Sequence, residues 1–208
     1  MYLVHTPWWL KSLYPSLMWQ VETNKKEIYI TFDDGPHKTI TPFVIDTLKA
    51  FNAKATFFCI GKNVIENIEI FERIISEGHS IGNHTHNHLN GFKTPTDAYI
   101  ENIKEAEKYI NSNLFRPPYG RIKRAQINKL QAINPAIKIV MWSVLSGDFD
   151  TNITDEQCLQ NITRSYKNGS IIVFHDSEKA WQRLQYALPE TLEHFSKEGY
   201  QFKALSKK

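Results

Sequence analysis

Glu27-Ile28-Tyr29-Ile30-Thr31-Phe32-Asp33-Asp34-Gly35-Pro36 is an apolar, β-branched and aromatic run that stops abruptly in two acids and two turn residues. It reads as a buried strand with two carboxylates at its end. The same placement, polar chemistry just past an apolar run, returns at His84 with His88, at Arg116, at Asp148 and at His175. Where strands and helices alternate around a barrel, functional groups gather on the face where the strands end. Residues far apart in sequence then converge on one rim, which makes the chain readable as an enzyme.

Seven such runs, at about 27–32, 55–60, 80–84, 114–118, 138–142, 170–175 and 201–205, alternate with amphipathic stretches bounded by Gly, Pro and Asn. The clearest helix spans 63–77, where Val64, Ile65, Ile68, Phe71, Ile74 and Ile75 recur at three- and four-residue spacing and Gly78 supplies the stop. Its apolar stripe is expected to pack on the sheet. A second helix starts with Thr94 as N-cap and Pro95 in the first position, and runs through Ile103, Ala106 and Ile110.

Strict alternation favours parallel strands, because parallel neighbours need crossover connections. Seven units without an inter-domain linker favour closure into a barrel, with an open doubly wound sheet as the alternative. The expected fold is therefore single-domain α/β, a barrel with its active site at the strand C-terminal face. Residues 1–25 are an N-terminal segment packing on a domain of 26–208. The cluster Trp8, Trp9, Leu10, Leu13, Tyr14, Leu17 and Trp19 is expected to pack across the closed end, with docking on a membrane surface as the competing use.

The net charge of +3 comes from lysines scattered along the chain rather than from a basic block, so no nucleic-acid partner is inferred. Cys59 and Cys158 lack CxxC neighbours and read as packing residues. The first residues lack a basic n-region and are interrupted by His5, Pro7 and Lys11, unlike a secretory leader, and no run reaches transmembrane length. On sequence alone the expected location is the cytoplasm. Nothing in the sequence specifies an oligomeric state.

Neighbouring side chains at a strand end diverge, so one acid of Asp33-Asp34 can bind a metal while the other faces a water. Read alone, the pair is better explained as loop-capping acids. His84 and His88 are four residues apart, so one helical turn would bring both imidazoles to one side. With Asp34 they make two nitrogens and one oxygen, a set that suits zinc with an open position, cobalt, nickel and manganese being compatible with the same residues. His86 between them is expected to point elsewhere, and His37, His79 and His194 to be structural or solvated. In Phe115-Arg116-Pro117-Pro118-Tyr119-Gly120, Arg116 can hold Asp33 by its fork and the stiffened backbone can aim the Tyr119 amide at an oxyanion. His175, at the end of Ile171-Ile172-Val173-Phe174, can act as a general acid near neutral pH.

Together, segments 31–36, 84–88, 116–120, 142–149 and 173–175 resemble the five ordered motifs of the polysaccharide deacetylases, also called the NodB homology domain or carbohydrate esterase family 4. The resemblance covers about 26 to the C-terminus. It implies a distorted (β/α)7 barrel, a divalent metal on Asp34, His84 and His88, Asp33 as general base, His175 as general acid and Arg116 orienting Asp33. It also implies a hydrolase that removes N-acetyl groups from N-acetylglucosamine-type glycans, with O-acetyl ester hydrolysis as the alternative and an inactive carbohydrate-binding barrel as a further one. One motif departs from the family form: Trp142-Ser143-Val144-Leu145-Ser146-Gly147-Asp148-Phe149 carries Leu145 where many members have an acid that tunes the catalytic histidine. Asp148 and Asp176 are the candidates to replace it. Tyr119, Trp142, Phe149 and Val173 are expected to bind substrate, the last two holding the acetyl methyl.

Overall fold

The computed structural model describes residues 2–206. Its eight strands pair only in parallel, in the sheet order β5 (Lys138–Ile139), β4 (Leu114–Phe115), β3 (Ser80–Asn83), β2 (Thr56–Cys59), β1 (Glu27–Asp33), β7 (Ile171–His175) and β6 (Val144–Leu145), with β8 (Gln201–Phe202) against the start of β1. The central strands are β1 (Glu27–Asp33), β2 (Thr56–Cys59), β3 (Ser80–Asn83) and β7 (Ile171–His175). Every residue of β1 after Glu27 is buried, which is why the run reads as continuously apolar rather than alternating. Phe32 stacks on Phe57 at 5.0 Å and on Phe174 at 6.0 Å, joining three strands through one aromatic layer.

Each of the seven expected strands has a counterpart, but the one at 138–142 is shortened to two residues and an eighth, unexpected strand follows at 144–145. The short strands β5 (Lys138–Ile139) and β6 (Val144–Leu145) lie at opposite edges of the curled sheet although they are neighbours in sequence. The barrel is thus incompletely closed, and the N-terminal segment bridges the seam. Met18 donates to the Ile139 carbonyl at 2.9 Å and accepts from Met141 at 2.7 Å, while Val4 accepts from Leu145 at 2.8 Å. Both edges thereby gain backbone partners that would otherwise be lacking. The expected strand at 114–118 shrinks to β4 (Leu114–Phe115) because Pro117 and Pro118 have no N–H to give a ladder.

Two other expectations are corrected. After α2 (Ile40–Ala50), the helix expected at 63–77 is two, α3 (Gly61–Glu66) and α4 (Ile68–Ser76), broken at Asn67 (φ −135°, ψ 48°). Asn67 Nδ2 donates to the Pro36 carbonyl at 3.2 Å and to the Asn63 carbonyl at 3.1 Å, tying the break to the loop after β1. The axis change leaves Val64, Phe71 and Ile74 buried but Ile65, Ile68 and Ile75 exposed. The second helix, α5, is Thr96–Glu107, with Pro95 rather than Thr94 at its cap.

The N-terminal aromatic cluster does not cross the closed end. Helix α1 (Trp8–Leu13) lies on the face that carries the strand ends: Leu10, Leu13, Tyr14, Leu17 and Trp19 line the same groove as Asp33 and His175, and Trp8 and Trp9 are exposed. Among the described residues no helix is long and apolar enough to cross a membrane.

Helix α6 (Arg124–Ile133) follows β4, and α7 (Asp155–Thr163) follows β6, opening on a reciprocal cap. Thr154 Oγ1 accepts from Gln157 N at 3.2 Å, and Gln157 Oε1 accepts from Thr154 N at 2.9 Å. Thr154→Ala is expected to lower unfolding free energy by about 1 kcal/mol, measured by urea titration.

Candidate active site

The site is built on a rim because parallel strands all end on the same side. Asp33 on β1 and His175 on β7 are direct register partners, so their backbones stand side by side. A groove of about 1030 Å³ opens above them, lined by Asp33, Asp34, His84, His88, Tyr119, Trp142, Leu145, Phe149, Val173 and His175 among others.

Asp33 is buried and points at Arg116, whose Nη1 lies 2.7 Å from Asp33 Oδ1. The same nitrogen donates to Thr31 Oγ1 at 2.7 Å, Nη2 to the Met141 carbonyl at 3.0 Å and Nε to the Val140 carbonyl at 3.2 Å. The guanidinium lies over the Phe58 ring at 4.1 Å. A fork held this way has no freedom to leave Asp33.

Asp34 turns the other way, in the left-handed region (φ 82°), toward two imidazoles. Its Oδ1 is 3.2 Å from His88 Nε2 and 3.8 Å from His84 Nε2, and one ligand atom from each of the three lies within 4.8 Å of the others. The buried Asp34 Oδ1 has no hydrogen-bond partner. His84 Nδ1 is 2.8 Å from the Arg116 carbonyl, a contact that fixes the Nδ1–H tautomer and leaves Nε2 as a free lone pair. Burial lowers the His84 pKa to about 4, against the pull of the Asp33 charge, so the ring is neutral at physiological pH. Asp34 would be raised by burial, but the His88 ring against its oxygen and the neighbouring His175 and His84 hold it well below the usual carboxylate range. A neutral His84 imidazole with a free Nε2, set beside the His88 ring and an ionised carboxylate, is what a divalent cation requires.

No helix joins His84 to His88, contrary to the spacing argument. Thr85 (φ 64°) and His88 (φ 54°) fold the loop back on itself, Asn83 Oδ1 accepts from Thr85 N at 2.7 Å, and Thr85 Oγ1 accepts from Leu89 N at 3.2 Å. With Asp34 and Tyr119 (φ 60°), four of the five described non-glycine residues at positive φ belong to this site, the concentration of strain expected where geometry serves chemistry. His86 stacks toward Tyr109 at 6.3 Å, away from the three ligands. His37 Nδ1 accepts from Ile40 N at 3.3 Å and His79 Nδ1 from Ala55 N at 3.2 Å, while His194 lies beside Glu198.

His175 is held by Asp148. Its Nδ1 is 2.8 Å from Asp148 Oδ1, and its backbone N donates to Asp148 Oδ2 at 2.7 Å. Burial lowers the His175 pKa, but the charge and hydrogen bond of Asp148, with Asp34 and Asp33 behind, outweigh it and raise the ring to about 9. Of the two acids proposed to stand in for the one missing at Leu145, Asp148 therefore takes the role. Leu145 instead lines the groove, and Asp176 bonds to Gly35 and Thr41. The Asp148 carbonyl is gripped in turn by buried Arg183 Nε at 2.6 Å. Phe149 meets the His175 ring edge to face at 5.1 Å, Tyr119 covers His88 at 4.6 Å, and Trp142 and Val173 complete the wall. Thr31, Phe58 and Arg183 were not read from the sequence. No local pattern marks a partner supplied by a distant element.

A family model for polysaccharide deacetylases matches residues 20–134. The chain is 35% identical over 204 residues to a peptidoglycan-N-acetylglucosamine deacetylase of Bacillus cereus, covering 94% of this chain and 95% of that protein. The chain belongs to the polysaccharide deacetylase family. Another member, the peptidoglycan-N-acetylglucosamine deacetylase PgdA of Listeria monocytogenes, is 34% identical over 192 residues, covering 88% of this chain but only 38% of that longer protein. Among solved structures, a peptidoglycan N-acetylglucosamine deacetylase in complex with 4-naphthalen-1-yl-N-oxidanyl-benzamide superposes with a TM-score of 0.88 at 32% identity, covering 98% of this polysaccharide deacetylase and 99% of that chain. The family fold and the curled (β/α)7 sheet agree.

Proposed function

We propose that the protein removes N-acetyl groups from N-acetylglucosamine-containing glycans, peptidoglycan first among them, and that Asp34, His84 and His88 hold zinc for this purpose. The observation that carries the reading is the flanking of one Asp-His-His cluster by two differently prepared groups: a carboxylate fixed on Arg116 and an imidazole fixed on Asp148. The relatives named above act on such glycans, which supports the choice of substrate.

When bound, the divalent metal supplies Lewis-acid polarisation of the amide carbonyl. Asp33, acceptor-only and oriented by Arg116, takes a proton from the attacking water. The new C–O bond places negative charge on the former carbonyl oxygen, to which we assign the Tyr119 amide as a donor. His175 then gives its proton to the nitrogen as the C–N bond breaks, so that acetate and a free amino sugar leave. Val173, Phe149 and Trp142 offer the methyl group an apolar wall.

Acetate release from N-acetylglucosamine oligomers, assayed with and without chelator, tests the reading. Release is expected to vanish on chelation and return with added Zn²⁺; release indifferent to chelator would overturn the scheme.

The acid form of His175 is the working form, so activity falls as pH rises through its folded pKa. Asp148→Asn removes the charge that raises that pKa. The alkaline limb of the pH–rate profile is therefore expected to move to lower pH by about one unit or more. A limb that stayed in place would assign it to another group.

A further inference from the structure

The turn that carries Asp33 and Asp34 is held from behind by two buried side chains that the reaction does not use. Asp176 Oδ1 accepts from Gly35 N at 3.0 Å, and Asp176 Oδ2 accepts from the Thr41 hydroxyl. Thr41 Oγ1 in turn accepts from His37 N at 2.7 Å, and Asp176 N donates to the Asp33 carbonyl at 3.1 Å. The peptides at 35 and 37 are thus tied to one carboxylate–hydroxyl pair, and the Asp33 carbonyl to the backbone of Asp176. Asp176 is 1% exposed and Thr41 0%, and neither lines the groove. A Cβ at Gly35 would collide with the Asp176 carboxylate, so this approach requires glycine there.

Between these ties sits Asp34, at φ 82°. A non-glycine residue at such an angle persists only where its surroundings over-determine it. Asn63 Nδ2 adds one restraint, donating to the Asp34 carbonyl at 2.7 Å, but the flanking peptides depend on Asp176 and Thr41. The carboxylate of Asp34 has an oxygen without a hydrogen-bond partner. With only the His88 ring close beside it, at 3.2 Å, its aim is set mainly by the backbone.

We propose that Asp176 and Thr41 are positioning residues: a buried brace that shapes the 33–37 turn so that Asp34 meets His84 and His88 in the geometry a divalent cation needs. The inference rests on the metal reading of that cluster. Groups that hold a ligand in place without touching the ion typically set 10–100-fold of its affinity.

The test measures Zn²⁺ affinity of the apoprotein by competition with a chromophoric chelator, alongside its thermal melting in the absence of metal. Thr41→Val, which keeps shape but removes the hydroxyl, is expected to weaken Zn²⁺ binding about 10-fold or more, Asp176→Asn about 10–100-fold, and Thr41→Ser less than about twofold. A brace that served only stability would lower the melting temperature and leave Zn²⁺ affinity of the folded protein within about twofold of the parent; that result overturns the proposal. So does a Thr41→Ser variant as weak as Thr41→Val, since the hydroxyl would then not be the operative group. If Asp176→Asn does not fold, the Thr41 pair decides. Failure of the parent protein to bind Zn²⁺ would instead retire the metal reading itself.

Discussion

Asp33→Asn lowers kcat/KM for acetate release by about 10²–10⁴-fold and leaves Zn²⁺ affinity nearly unchanged. The two halves of that expectation come from the divergence of adjacent side chains at the end of β1. Asn keeps the size of Asp33 and an oxygen for Arg116 Nη1, now 2.7 Å away, so the fork and the rim survive. It cannot take a proton from water. Asp34, on the other side of the turn, is untouched and still faces His84 and His88. Steady-state kinetics on N-acetylglucosamine oligomers, paired with the chelator competition, reads both quantities. Activity within about tenfold of the parent would mean that the base is elsewhere, and a parallel loss of metal would mean that Asp33 is a ligand.

Arg116→Met is expected to destabilise the fold by about 3–5 kcal/mol, the cost of leaving a buried carboxylate without its cation. Arg116 is fully buried, and its guanidinium serves four oxygens at once. Two of these, the carbonyls of Val140 and Met141, lie in the segment that crosses from one sheet edge to the other. The substitution therefore loosens the seam as well as the general base. Arg116→Lys is not a rescue, because a single ammonium cannot reproduce a planar fork over the Phe58 ring. Urea unfolding of the two variants checks this: a change below about 1 kcal/mol for Arg116→Met would mean that Asp33 is solvated or neutral and that the buried pair is misread.

Much of the site was legible because its residues stand next to strong local signals. Asp33-Asp34-Gly35-Pro36 follows a strand buried on both faces, and such a strand writes a continuous apolar run that cannot be mistaken for a surface element. His175 closes a run of the same kind. The helix expected at 63–77 is broken for the opposite reason: apolar periodicity reports which residues prefer burial, but the break at Asn67 is made by a side chain reaching the Pro36 carbonyl, a partner 31 residues away. The histidine pair was found by spacing and explained by the wrong geometry, since its loop converges through positive φ at Thr85 and His88 rather than through a helical turn.

The order of strand and helix and the chemical types on the rim follow from the sequence, because each is carried by residues close to one another along the chain; Asp34, His84 and His88 could be named there as candidate ligands, but only the fold brings Asp34 to the two histidines. Which acid serves His175, how the sheet edges are covered, and what lies behind the Asp33-Asp34 turn were decided by the tertiary structure alone. Asp148 reaches His175 across 27 positions through the parallel register of β6 with β7, and Asp176 reaches Gly35 across 141 through that of β1 with β7. A hydrogen bond between such partners is a fact of strand register, and register is fixed by the packing of the whole sheet rather than by any one segment.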